Sequence, residues 1–366
     1  MHPRHVLLAD NRDISPNDFV RMQTLRDRIS HLVEAREQIV ASLGLDPDFC
    51  LPAANWGDGA HNDFLSAYDH IRAGGYDVLN RLRFWSQAFS GYQLRTLSPG
   101  QGTHSVGIVR ADHDRWLVST RPEPDSWVAA WTVATRWTPN RYTFSPPRML
   151  GEIGWNVGGV VVNHDTYAYQ ERLNLLWESR VLDWLRRKHR PRILEIGGGY
   201  GALAYALRSA FPRSYYVICD LPESLMFSGL YLTATTGAAP TILIGEASAQ
   251  SGFALLPNYL FHTLQGEPFD LVINTLSMSE MTEHQIGVYS SGISRMLGTA
   301  GVFFEQNQDN RPAGMLFAKL VVERHFAGRR PLSLKSAGLV HGPADLWSNG
   351  DFAALDGRRW RFPWGH

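Results

Sequence analysis

Apolar residues recur at near-helical spacing early in the chain, at Val20, Leu25, Ile29, Leu32, Val33, Val40 and Leu43. Ser15-Pro16-Asn17-Asp18 marks the start of that helix: Ser15 caps it, Pro16 takes the first helical position, and Asp18 faces the positive helix end. A second helical stretch, FLSAYDHIRAGGYDVLNRLRFWSQAF, is broken in two by Gly74-Gly75. Residues 96–150 are punctuated by Pro122, Pro124, Pro139, Pro146 and Pro147. There SVGIVR, RWLVST and SWVAAWTVATRW read as short strands, or as one strand and a helix. Tyr169, Leu173, Leu176, Trp177, Val181, Trp184 and Leu185 then form one apolar helical face. The basic run Arg186-Arg187-Lys188-His189-Arg190 before Pro191 reads as cations at a helix C-terminus stopped by proline.

After Pro191 strands and helices alternate. RILEI, YYVICD, TILIG, FDLVINT and GVFFEQN read as strands. GALAYALRSAF, PESLMFSGLYLTA, EHQIGVYSSGISRML and GMLFAKLVVERHF read as helices. The strands are continuous apolar runs rather than alternating ones, which predicts a parallel sheet covered by helices on both faces. Two regions follow: a mainly helical one over residues 1–150, serving as lid, substrate or dimerisation region, and an α/β domain over residues 151–366.

Composition narrows the function. At 44% hydrophobic and 19% charged residues, the chain has material for a sizeable core. Lys plus Arg and Asp plus Glu are both 35, so a strongly basic nucleic-acid binder is excluded. Cys50 and Cys219 are the only cysteines, too few for a disulfide framework or a Cys-rich zinc site, and they fit a reducing compartment. No apolar run reaches the roughly 20 residues that span a bilayer, and MHPRHVLLADNRD is a poor signal peptide. The expectation is a cytoplasmic protein with a small-molecule partner, neither nucleic acid nor membrane, and a homodimer through the N-terminal helices.

The strongest chemical signal is Glu195-Ile196-Gly197-Gly198-Gly199-Tyr200-Gly201, between a strand and a helix. Glycines there permit a tight turn and close approach of a ligand to the backbone. Asp220 ends the next strand, where an acidic residue accepts hydrogen bonds from ribose hydroxyls. Two cofactors compete. Gly197-x-Gly199-x-x-Ala202 satisfies the dinucleotide fingerprint. E-x-G-x-G-x-G is instead the form of S-adenosylmethionine-dependent methyltransferases. Glu195 suits a cofactor with a cationic ammonium and sulfonium, and Ile244-Gly245-Glu246-Ala247 ends the third strand with a carboxylate for an adenine amino group.

The blocks RILEIGGGYGALA, ICDLPE, FDLVINTLSMSEM and GVFFEQN resemble a class I methyltransferase. With YDVLNRLRFWSQAFSGY, GEIGWNVGGVVVNHDTYAYQERLNLL and NTLSMSEMTEHQIGVY, the chain is similar to the sugar O-methyltransferase family over roughly residues 75–310. The resemblance implies a Rossmann-like α/β sheet of order 3-2-1-4-5-7-6 with an antiparallel last strand. PLSLKS and the Trp-rich tail would supply the last two strands. It implies S-adenosylmethionine as cofactor, with Gly197, Gly199 and Gly201 along its methionine and ribose portion and Glu195 beneath. Asp220 would hold the ribose diol, Leu221 would lie against adenine, and Glu246 would take the adenine amino group. Asn274 and Thr275 would approach the amino acid part.

Methyl transfer to a sugar hydroxyl needs alignment and a general base. Small-molecule O-methyltransferases carry a His-Asp pair where this chain has Ser279-Glu280, so Glu280 or His284 is the expected base. Their bland alternatives are a helix-capping Glu280 and a plain surface or core His284. Glu305-Gln306-Asn307-Gln308-Asp309-Asn310 clusters oxygen ligands that suit Mg²⁺. The fourth strand ends in Asn274 rather than Asp, however, which favours hydrogen bonding to a polar acceptor without a metal, and leaves Asp309 as a further candidate base. His164 is an alternative base, and Asp165 or Thr166 a helix cap. Trp85, Trp127, Trp131 and Trp155 would stack on sugar faces or pack the core.

Overall fold

The computed structural model describes residues 7–8, 11–52, 60–86, 126–238, 240–242, 252–326, 331–334, 341–350 and 352. The main sheet is built from β4 (Arg192–Ile196), β5 (Tyr215–Asp220), β6 (Thr241–Ile242), β7 (Gly252–Pro257), β8 (Phe269–Thr275), β9 (Leu297–Gln306), β10 (Leu332–Leu334) and β11 (Ala344–Ser348). Its order is β10-β11-β9-β8-β4-β5-β7-β6. β4 to β9 pair in parallel, whereas β11 runs antiparallel to both β9 and β10. Without the edge strand β6, the order reads 3-2-1-4-5-7-6 in chain order, as the resemblance implies. PLSLKS and the Trp-rich tail do supply β10 and β11.

The third strand differs from expectation. Of TILIG, Thr241 and Ile242 are described, and they form a strand at the sheet edge against β7. The strand beside β5 is the apolar run GFALLP, matched along its whole length from Tyr215↔Gly252 to Asp220↔Pro257. A six-residue match offers more ladder hydrogen bonds and buried area than a two-residue one. Glu246 lies outside the described residues, as do SVGIVR and RWLVST.

The N-terminal helix Pro16–Ser42 starts as its sequence predicts, with the Ser15 hydroxyl oxygen accepting the Asp18 N–H at 3.1 Å. It buries Met22, Leu25, Ile29, Leu32 and Val40, but Val20 and Leu43 of the predicted face are 59% and 56% exposed. That face packs on helix Pro222–Thr236. Gly229 allows the approach, since a Cβ there would stand 3.0 Å from Leu25 Cδ2. Each buried Leu or Ile in such a seam contributes about 1.5–3 kcal/mol. A buried Arg36–Glu223 pair joins the same two helices.

SWVAAWTVATRW supplies a helix, Ser126–Thr135, rather than a strand. β2 (Gly154–Val157) and β3 (Val160–Val162) form a hairpin turned by Gly158-Gly159, both at positive φ, and β2 pairs with β1 (Leu7–Leu8). The next helix runs from His164 to Glu178. Left-handed Arg180 (φ 66°) separates it from Val181–Leu185, splitting the apolar face predicted as one. Trp85, Trp131 and Trp155 are 7%, 2% and 3% exposed and pack the core, where they cannot stack on a sugar. The Trp127 side chain lies outside the described residues. Among the described residues no helix is long and apolar enough to cross a membrane.

Candidate active site

The carboxyl ends of β4 and β5 open into the glycine loop. Gly197 has φ 74° and donates its N–H to Cys219 O at 2.9 Å, tying the loop to β5. A Cβ on Gly197 would stand 2.1 Å from Ser277 Oγ, so no other residue fits. Gly199, at φ 54°, faces open space where its Cβ would be, leaving room for a ligand against the backbone. Gly201 (φ 89°) ends the loop and starts helix Ala202–Ala210.

Asp220 accepts the Gly199 N–H at 3.3 Å and the Leu221 N–H at 2.8 Å. Burial pushes its carboxyl up to about 7, against the opposing pull of those N–H groups. Beside it opens a cleft of about 500 Å³, part of it open solvent, whose walls include Gly197, Asp220, Leu221, Asn258, Glu280 and Tyr289. Asn258 follows β7, whose last residue Pro257 pairs with Asp220. The Asn258 amide donates to Cys50 O at 2.9 Å. Gln285 donates to Leu51 O at 2.8 Å, and Phe49 packs edge-on against Tyr289 with centroids 4.9 Å apart. The segment from Phe49 to Pro52 therefore forms one wall of the cleft.

Glu195 lies under the loop, 2% exposed, and accepts the Tyr216 hydroxyl hydrogen at 2.8 Å. Burial raises its carboxyl to about 7, with Tyr216 and Arg172 opposing. Arg172 is itself 5% exposed. Its Nε has no hydrogen-bond partner, and among the described residues no ion pair closes on it. A guanidinium offers five N–H donors and stays charged, so its burial without an anion is costly.

Asn274 does not face the cleft. Its Nδ2 donates to Ile196 O at 2.9 Å and Ser277 Oγ at 2.6 Å, and its Oδ1 accepts from Asn307 at 2.8 Å. Fully buried, it splices the glycine loop to the segment after β8. Thr275 pairs with Gln306 across β8 and β9 and is half-buried.

The three expected bases are dispersed. Glu280 lines the cleft. His284 sits in the first turn of helix Glu283–Met296, half-exposed, and bonds Asp46 outside the cleft walls. Thr282, not Glu280, caps that helix in a reciprocal box with Gln285. Asp309 is locked to Arg311 at 2.8 and 2.6 Å, which holds its carboxyl below the usual range and makes it a poor base. In the run at 305–310, Glu305, Gln306 and Asn307 are buried and hydrogen-bonded within the protein. Among the described residues no group of three or more His, Cys, Asp or Glu side chains is placed to hold a metal.

A polar cluster that sequence reasoning missed lies at the end of β9. Glu171 Oε1 accepts from Gln306 Nε2 at 2.9 Å and from the His341 N–H at 3.3 Å. His341 Nδ1 stands 3.4 Å from the same oxygen, and the His164 ring meets the His341 ring edge-on. Asn163, rather than Asp165 or Thr166, caps the helix, accepting the Thr166 N–H at 2.9 Å.

No family model matches the chain. Over 105 residues it is 37% identical to the release factor glutamine methyltransferase of Deinococcus radiodurans, covering 28% of this chain and 36% of that protein. Over 57 residues it is 32% identical to the ubiquinone/menaquinone biosynthesis C-methyltransferase of Dinoroseobacter shibae, covering 16% and 23%. The chain thus spans about a third or less of the length of these curated relatives. Among solved structures it is similar to an amino pentose methyltransferase from Micromonospora echinaspora, at 15% identity and TM-score 0.35, over 47% of this chain and 90% of that one. The strand order with its antiparallel β11 is that of a Rossmann-like methyltransferase fold, and the curated relatives matched over part of the chain are methyltransferases.

Proposed function

We propose that the chain transfers the methyl group of S-adenosylmethionine to a hydroxyl of a sugar or glycosylated small molecule. The observation that carries the cofactor part is the buried Arg172, in no ion pair among the described residues yet close enough to Glu195 to act on its charge. A buried cation beside a buried carboxylate is complementary to the zwitterionic amino acid end of this cofactor. Arg172 would take the carboxylate and Glu195 would face the ammonium charge. Asp220 would accept from the ribose diol, and Leu221 and Asn258 would border adenine. When bound, the cofactor supplies an activated methyl group, and the protein aligns an acceptor with it.

The sugar part rests on the segments that carry the sequence resemblance. Arg83, Glu152, Asn163 and Asp165, from two of those segments, meet in one buried hydrogen-bonded network. Calorimetric titration with S-adenosylhomocysteine, with NAD and NADP as controls, tests the cofactor. Binding of the first alone is expected, and binding of a dinucleotide would overturn it. Transfer of tritium from labelled cofactor to a panel of hexoses, deoxyhexoses, methyl glycosides and phenols tests the acceptor. Label in the phenols alone would replace the sugar.

A further inference from the structure

We propose that His341 and Glu171 are the general-base pair that takes the proton from the acceptor hydroxyl, an inference that rests on the methyltransferase reading above. His341 precedes β11, and its neighbour Gly342 accepts from Gln306 Nε2 at 3.0 Å. Glu171 Oε1 thus accepts from the His341 backbone N–H and stands 3.4 Å from Nδ1, which closes no hydrogen bond of its own, while Gln306 braces Glu171 and Gly342. A carboxylate this close to Nδ1 favours the proton there over Nε2, which is left as the basic atom.

The place is right for the chemistry. Gln306 ends β9, and its carbonyl accepts the Leu276 N–H at 2.9 Å, just before Ser277 meets the glycine loop. Open parallel sheets bind ligands outside these strand ends. Arg172 acts electrostatically on both Glu195 beneath the loop and His341, so the pair lies near the groups proposed for the amino acid end of the cofactor, behind the walls of the cleft described above. The groups facing His341 are Glu171, Arg172 and His164, the last with Asp165 3.6 Å from its Nδ1. Burial lowers the pKa of His341, and Arg172 and His164 add to this, while Glu171 opposes. These surroundings disfavour the charged imidazolium, as suits a base.

In the step, His341 Nε2 takes the hydroxyl proton. The oxygen electron pair so released forms the new O–C bond as the C–S bond breaks, its electrons remaining on sulfur as a neutral thioether. The imidazolium then returns its proton to solvent.

The test uses His341→Asn and His341→Gly beside the wild type. Homocysteine-product affinity is expected to stay within about threefold, showing an intact cofactor site, while turnover on the tritium panel falls by about 100-fold or more. Added imidazole is expected to restore part of the His341→Gly turnover, which a merely structural role would not allow. Glu171→Gln is expected to move the acid limb of the pH–rate profile downward, because Glu171 favours the protonated ring. Retained turnover in His341→Asn would overturn the pair. If neither variant binds S-adenosylhomocysteine, ¹⁵N NMR of the wild-type complex decides. An unprotonated Nε2 at pH 7 supports the base, and a proton on Nε2 overturns it. A wild type that binds the product but labels no acceptor overturns the transfer reading itself, and the pair with it.

Discussion

The guanidinium of Arg83 lies 3.8 Å from the centre of the Tyr200 ring. Tyr200 belongs to the glycine loop, whereas Arg83 comes from a short helix more than a hundred positions earlier. The same guanidinium donates to Glu152 at 2.6 Å and Asp165 at 2.8 Å, with its side chain wholly buried. The loop that would cradle the cofactor is thus backed by a cation, two carboxylates and an aromatic ring.

Removing Arg83 leaves two buried carboxylates with one partner fewer. Arg83→Met is expected to destabilise the protein by about 3–5 kcal/mol, read as a lower urea midpoint at unchanged slope. Loss of that backing is also expected to weaken S-adenosylhomocysteine binding. An unchanged midpoint would show that water or rearranged side chains replace the guanidinium.

Asp220 gives a pH prediction with a definite sign. Its carboxyl titrates near 7 because it is buried, and a ribose diol donates best to the ionised form. Binding is then complete above pH 7 and falls by about tenfold per unit below it. Asp220→Asn is expected to weaken binding by about 1.5–3 kcal/mol and to flatten that profile. Calorimetry between pH 5 and 8 measures both, and a flat wild-type profile would remove Asp220 from the ribose site.

His284 and Asp309 bear on the base in the opposite direction. His284 is engaged with Asp46 outside the cleft, and Asp309 is neutralised by Arg311. His284→Ala and Asp309→Asn are each expected to keep at least half of the turnover and the full cofactor affinity. A collapse of turnover in either, with binding intact, would restore that residue as the base.

Much of the fold is written in local pattern. β4, the glycine loop and helix Ala202–Ala210 follow one another with an apolar run, three glycines at positive φ and a helical repeat, signals read within a few residues. β6 and β7 show where that stops. TILIG and GFALLP are both apolar runs, and only the match to β5 chooses between them. The base pair is invisible for a similar reason. His341 sits in a Gly- and Pro-rich stretch without periodicity, and what singles it out is Glu171, brought to it by the return of the chain beside β9. One signal was available in principle. Glu171 and Arg172 are adjacent charges in a helix whose His164-to-Leu176 portion is buried throughout, and buried charges in such a helix need partners or ligands.

Arg172 offers the sharpest test because its two expected effects have opposite signs. In the free protein Arg172 is 5% exposed with Nε unpartnered and in no ion pair among the described residues, so Arg172→Met is expected to raise thermal stability by removing a buried charge that lacks close pairing. With ligand present the same change removes the carboxylate partner. S-adenosylhomocysteine is then expected to bind about 10- to 100-fold more weakly, the range of charge-assisted hydrogen bonds worth about 1.5–3 kcal/mol. 5′-Methylthioadenosine lacks the amino acid group and is expected to bind wild type and variant alike. Equal weakening of both ligands would mean that Arg172 shapes the site as a whole. No weakening of either would mean that the carboxylate lies elsewhere and that this cation serves an acidic acceptor instead.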